Sequence, residues 1–275
     1  MSNLPGEFSE HLDSIIEAIG RDPAFFFLDP FGVRGIEMEL IEKIMKRPSR
    51  KTELLIHFSE RSFARMAGHA AEGERTTVAE RVAQTKLATL DKVIGSPMWR
   101  PWWSSDDVEP GERLEKTIDL YISQLRARGF EFVHQIRIRD KHGDRSRYRL
   151  IFCTGSPHGV DLMSDIACRY ERSLVEEASH GQENLFAENE AQERQAELME
   201  GIHALGLEQG VMTREKVRHR LAPRRFGQHT ITDYNRAIVD LVKRQGIKRD
   251  NPVGIEDREE LRFVPFSQGS LLEAL

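Results

Sequence analysis

The tetrapeptide Asp29-Pro30-Phe31-Gly32 follows an apolar run, Ala24 to Leu28, and gathers several chemistries at one predicted strand end. A carboxylate there accepts a hydrogen bond from a planar amine, the Pro30 carbonyl assists, and the Phe31 ring stacks on a base or heterocycle. Ligands of open α/β sheets bind beyond the carboxyl ends of the strands, where these residues fall. A strand-ending Asp-Pro turn is the structural reading of the same residues. Arg61 and Arg65 lie one helical turn apart after the next strand-like run. They suit a phosphate or carboxylate in the same cleft, or a solvated, ion-paired face. His57, inside that run, reads as a core histidine or as an acid–base group.

A second constellation is basic. Between Val211 and Arg249 eleven Lys and Arg stand against Glu215, Asp233 and Asp240, a balance of +8. Arg214, Lys216, Arg218, Arg224 and Arg225 crowd a predicted second helix and its turn. Thr230, Thr232, Tyr234, Asn235 and Arg236 open a third, where a recognition helix meets base edges. Lys248 and Arg249 approach a wing. Cations so placed neutralise phosphates, although such folds also dock proteins. The preceding stretch is acidic: nine Glu between Glu171 and Glu200 against Arg172 and Arg194. The overall charge of −5 therefore averages two opposite regions. Trp99, Trp102 and Trp103 read as a stacking platform or as a hydrophobic plug.

Composition limits the classes. With 39% hydrophobic and 31% charged residues in 275, the chain can bury a core under a charged surface. Mean hydropathy is −0.51, and no apolar run approaches the roughly 18 residues of a membrane span. The first residues show neither a basic start nor an apolar stretch, which predicts no secretory signal and a cytoplasmic protein. Cys153 and Cys168 are the only cysteines, too few for a disulfide framework. G-x-S-x-G, Walker A, H-E-x-x-H and Cys/His cluster motifs are absent, and no metal ligands are assigned.

Periodicity supplies the elements that must hold these residues. Phe8 to Ile19 is an amphipathic helix, Ala24 to Leu28 a strand apolar enough for burial on both faces, Ile36 to Met45 a helix and Glu53 to Phe58 a strand. Arg61 to Ile94 is helical in two pieces broken around Gly73, and Arg113 to Arg128 is helical to Gly129. Phe130 to Ile138 and Tyr148 to Cys153 read as an antiparallel hairpin closing one edge of a mixed sheet. Val160 to Glu177 is a further helix. The expected domains are 1–180, α/β, an acidic linker 181–190, and 191–275. The last holds helices at Ala191–Leu205, Glu215–Leu221 and from Thr230, then two short strands, the winged-helix pattern.

Phe26-Phe27-Leu28-Asp29-Pro30-Phe31-Gly32, Glu53-Leu54-Leu55-Ile56-His57-Phe58 with Arg65, and Tyr148 to Thr154 with His158-Gly159 and Met163 together resemble the three-Cys-motif partner proteins, TcmP. The resemblance covers roughly residues 8 to 175. It implies a methyltransferase-like, partial Rossmann-like α/β fold, and a radical-SAM-like partner carrying three cysteines. It also implies S-adenosylmethionine as cofactor, with Asp29, Pro30, Phe31 and Gly32 as the amine-holding motif. The family opens on a strand ending in Asp-x-Phe-Ala-Gly-x-Gly, which this sequence lacks, so this chain would start near that family's fourth sheet strand. The expectation is then either an amino-methyltransferase portion acting at nucleic acid, or a non-enzymatic DNA-binding adaptor. In the latter a degenerate half-Rossmann domain pairs with a partner or self-associates.

Overall fold

The computed structural model describes residues 5–47, 49, 51–71, 76–178, 185–249 and 257–266. The chain divides into two compact units, Met1–Ser156 and Pro157–Leu275. The division precedes the helix that the sequence reading placed in the first domain. Of the expected linker, residues 181–184 lie outside the described residues and the rest is helical.

In the first unit α1 (Phe8–Ile19), β1 (Ala24–Leu28), α2 (Met38–Met45), β2 (Thr52–Phe58) and α3 (Glu60–Ala67) come first. They are followed by α4 (Thr77–Ile94), α5 (Arg100–Ser104), α6 (Pro110–Ala127), β3 (Phe132–Ile138) and β4 (Tyr148–Thr154). Gly73, the expected break between α3 and α4, is outside the described residues. The strands form an open mixed sheet, order β1-β2-β4-β3, with β1 parallel to β2 and β4 antiparallel to both neighbours. The fold is mixed α/β, and the β3–β4 hairpin closes one edge.

Alternation decides the core. Phe26 and Leu28, then Leu54, Ile56 and Phe58, fall on the sheet face that also carries Ile151, Cys153 and Val133. These pack with Leu12, Ile41, Leu90, Ile118 and Tyr121 into one cluster. Each such side chain removed from water contributes about 1.5–3 kcal/mol. β1 is not buried on both faces, as its composition suggested. Phe25 and Phe27 point the other way and remain 55% and 53% exposed. The reason is position: β1 is the edge strand, and α1 packs on the Phe26–Leu28 side through Leu12. Trp99 and Trp103 are core residues, their indole N–H groups donating to Asp91 at 3.1 Å and Thr117 at 2.9 Å. The tryptophans form a plug.

The second unit contains α7 (Pro157–Ala178), α8 (Leu185–Gln209), β5 (Val211–Thr213), α9 (Arg214–Leu221), α10 (Ile231–Lys243), β6 (Ile247–Arg249) and β7 (Glu260–Phe263). Its three strands pair antiparallel in the order β5-β7-β6. Leu198 and Ile202 of α8, Val217 and Leu221 of α9, and Tyr234, Ile238 and Leu241 of α10 meet Met212, Leu261 and Phe263 in a separate core. Thr213 and Thr230 cap α9 and α10: their hydroxyls accept from the Lys216 and Asp233 backbone N–H groups at 3.2 and 3.1 Å. Among the described residues no helix is long and apolar enough to cross a membrane.

One glycine is required by packing. A Cβ on Gly206 of α8 would stand 2.0 Å from the Phe263 ring. Gly206→Ala gains about 1 kcal/mol of helix propensity, but forcing a buried ring aside costs about 1–3 kcal/mol. The variant is expected to unfold at lower urea than the parent chain. A higher midpoint would show that Phe263 can move without loss.

Candidate functional site

The first candidate lies at the carboxyl end of the parallel pair. Asp29 follows β1 and is 57% exposed along its side chain; its Oδ1 stands 2.9 Å from Nδ1 of His57 at the end of β2. The approach is out of line for a hydrogen bond, so the contact is one of proximity. The His57 ring meets Tyr148 edge-to-face, with centroids 4.3 Å apart. Phe31 is fully exposed, its ring open to a stacking partner. Gly32 and Gly35 both have φ of +97°, a conformation that leaves glycine at these two positions of the turn.

Asp29, Pro30 and Phe31 line a cleft of about 1210 Å³ together with Arg34, Glu37 and Arg128. Arg61 and Arg65 do not line it. They are exposed on α3, and it is Ser62 of that helix that faces Gly32, 3.9 Å from where a Cβ on that glycine would stand. The cations of the cleft are instead Arg34, Lys92 and Arg128, which the sequence reading passed over. Arg128 donates to Glu42 at 2.6 Å, whereas Arg34 is exposed. A planar ligand with an amino group and an anionic substituent fits this set.

The residues present do not fit S-adenosylmethionine in the way a dinucleotide-type turn would. The Gly35 N–H is already donated to Glu37 at 2.7 Å. The acid after β2, Glu60, is 8% exposed and bound to Arg149 at 2.5 Å rather than free for a ribose.

The second candidate is the basic face of the second unit, and here burial sorts the predicted residues. Arg218 is 6% exposed, donating to Asp161 at 3.3 Å and to both oxygens of Asp257 at 3.0 and 3.1 Å. It is an internal ion-pair residue, not a phosphate contact. Thr230 is 4% exposed and spent as the cap; Tyr234 is 2% exposed in the core, where burial pushes its phenol pKa up. Neither reaches a base edge. Asn235 is half-buried, with its Oδ1 buried and unpartnered, so its acceptor also faces inward.

Lys216, Arg224, Thr232, Arg236 and Lys248 are exposed. Arg214 and Arg225 are half-buried, and the Arg225 guanidinium lies against Gly201 of α8. The Arg249 side chain lies outside the described residues. Exposed Arg262 on β7 was missed by the sequence reading, and it stands directly opposite Lys248 on β6. Neither forms an ion pair among the described residues, and like charges placed opposite in a ladder are destabilising. An anion over that pair removes the repulsion.

The first turn of α10 is covered by α7. The Ile231 N–H donates to Asp165 at 2.7 Å, Arg172 donates to Asp233 at 2.6 Å, and the Gly227 N–H donates to Ser164 at 3.0 Å. A cleft of about 520 Å³ beside it mixes Arg172, Arg194 and Arg236 with Glu176, Glu190 and Glu197, a poor lining for a phosphate. The cluster of metal-ligating types among the described residues is His158, Glu215 and His219. Compared with protein families, with curated proteins and with solved structures, the chain matches none of them.

Burial lowers the pKa of His134 on β3 and of His229, at the entry to α10, from 6.5 to about 4. Between these values the unfolded chain binds a proton that each folded imidazole refuses, so stability falls as pH drops from 6.5 toward 4. For His229, 4% exposed, the loss is at most about 3 kcal/mol. Urea midpoints measured between pH 7 and 4.5 are expected to fall, and His229→Gln to shallow the decline. An unchanged pH dependence in that variant would remove His229 from the account.

Proposed function

We propose that the protein binds duplex DNA through its second unit, with the first unit a methyltransferase-like module of the three-Cys-motif partner type that works with a partner protein. The order α8, β5, α9, α10, β6, β7, with β5-β7-β6 pairing, agrees with a winged helix in which β6 and β7 form the wing. The observation that carries the reading is the uncompensated Lys248–Arg262 pair on that wing. Two facing cations cost stability in the free protein and are useful only against an anionic surface. Exposed Lys216, Arg220, Arg224, Arg236 and Arg244 extend the charge.

With the start of α10 occupied by α7, base reading is confined to its exposed stripe. Thr232, Arg236 and Lys243 recur there at helical spacing and are all exposed. Phosphate contacts therefore dominate, and they position without specifying. In the first unit, the parallel pair with its reversed edge hairpin supports the methyltransferase-like reading. The exposed Phe25 and Phe27 of the edge strand β1 suit a protein partner or a second copy.

A catalytic reading of the first unit rests on Asp29 beside His57 at the mouth of the larger cleft. There Asp29 would accept from a substrate amine and Phe31 would stack on its ring. Because the turn and the buried Glu60 leave no ribose or amino-acid cradle, the chain alone is expected to show no saturable micromolar site for S-adenosylmethionine in calorimetry. A stoichiometric site would restore the enzyme reading for the isolated chain.

Binding of a fluorescent duplex to the full chain, titrated with salt, tests the main proposal. With about five phosphates neutralised, log K should fall against log salt with a slope near −4 to −5. Lys248→Ala and Arg262→Ala should each reduce that slope by about 0.9 while raising the urea midpoint slightly, since each also relieves the cross-strand repulsion. No salt-sensitive affinity at about 50 mM salt would leave protein docking as the role of the second unit.

A further inference from the structure

Two helices of the second unit each bring a pair of metal-ligating side chains to one place. His158 and Asp161 are i and i+3 on α7; Glu215 and His219 are i and i+4 on α9. Both spacings put the paired side chains on one helix face. His158 Nε2 stands 3.2 Å from Glu215 Oε1, and His219 Nε2 stands 3.4 Å from Asp161 Oδ2. The two imidazoles meet edge-on with centroids 4.5 Å apart. The ligand atoms of His158, Glu215 and His219 all lie within 4.8 Å of one another. Around a tetrahedral ion with bonds of about 2.0–2.1 Å, ligand atoms sit about 3.3–3.4 Å apart. The two closest pairs already have that separation.

A second observation is independent of spacing. Asp161 is 6% exposed, yet its Oδ1 has no hydrogen-bond donor; His219 Nε2 is likewise buried without a hydrogen-bond partner. Buried polar atoms are almost always satisfied, and two orphans on facing groups of one cluster mark a missing partner. A divalent cation set between the two groups satisfies a carboxylate oxygen and an imidazole nitrogen at once. Arg218, clamped by Asp257, donates to Asp161 Oδ2 and fixes the carboxylate, leaving Oδ1 as its unpartnered oxygen, as supporting residues do around metal ligands.

The geometry points to a binding site for a zinc-type divalent ion, held by His158, Glu215 and His219 with Asp161 as fourth ligand, clipping α7 to α9. Two imidazoles argue against calcium and magnesium, which take oxygen ligands. Four protein ligands argue for a structural site, since a catalytic one keeps a position open. By joining α7 to α9, the ion would hold in place the helix that covers the start of α10. The assignment does not depend on DNA binding.

The test uses the full chain, stripped with a chelator and titrated with ZnCl2 by calorimetry, with CoCl2 as the spectroscopic probe. One ion per chain at micromolar or tighter affinity is expected, with a visible tetrahedral Co2+ spectrum lacking thiolate bands and a raised thermal midpoint in zinc. His158→Ala and His219→Ala should each weaken binding at least tenfold, and Asp161→Asn should weaken it with the fold retained by circular dichroism. Should the variants misfold, zinc protection of His158 and His219 against diethyl pyrocarbonate, read by mass spectrometry on the parent chain, serves instead. Substoichiometric or millimolar binding, unchanged affinity in folded variants, or equal labelling with and without zinc would each overturn the site.

Discussion

Arg149 is the constraint on which the first unit depends. It is 2% exposed in β4, and its guanidinium reaches Glu60 at the start of α3, Glu115 on α6 and Gln135 on β3. Desolvating a guanidinium costs several kcal/mol, and pairing about offsets that, so the net gain over an apolar residue is small. Its effect is on uniqueness. Any other register of β4 would bury the charge away from its carboxylates, at about 3–5 kcal/mol. The Arg149 hydrogen bond holds the Glu115 carboxyl below its usual pKa, so this contribution is complete above the ordinary carboxylate range and is lost as acid reaches the depressed value.

That register carries through to the candidate site. With Phe58 opposite Arg149 and His57 opposite Leu150, the Tyr148 ring comes to the edge of His57. The parallel pairing of β1 and β2 then sets Asp29, one residue beyond Leu28, beside that histidine. A strand-end carboxylate is thus positioned by a chain of backbone pairings that begins at a buried ion pair about 120 residues downstream in the sequence.

How much of this was legible in the sequence follows from the range of the interaction involved. The α1, β1, β2 and β4 segments announced themselves through local periodicity, and both threonine caps were readable because capping spans three residues. The three-residue strand β5 is too short to carry a period. Burial of β1 on one face only is decided by its place in the sheet, which its apolar run does not encode. Arg218 read as a phosphate contact because its partners are 57 and 39 positions away. Tyr234 was legible: the stripe Ala237, Ile238 and Leu241, continued back by one turn, assigns it to the core. The pairs His158/Asp161 and Glu215/His219 were each visible as helical spacings, but only folding brings α7 against α9.

Covering a helix N-terminus has a consequence for what α10 can do. Its capping box uses Thr230 and Asp233, and Arg172 and Asp165 of α7 complete the satisfaction of Asp233 and the Ile231 N–H. Those are the groups that a helix entering a groove would otherwise offer to phosphates and base edges. The helix keeps its stability and gives up its most informative turn. What remains outward is Thr232, Arg236 and Lys243 on α10 and the paired cations of β6 and β7. All but one are charged, and their reach is set by flexible stems rather than a fixed backbone. If it meets DNA as proposed, a surface of that kind would grip by counterion release and read little sequence. On the proposed DNA-binding reading, specificity would then come from elsewhere: from a protein partner, or from movement of α7 away from α10.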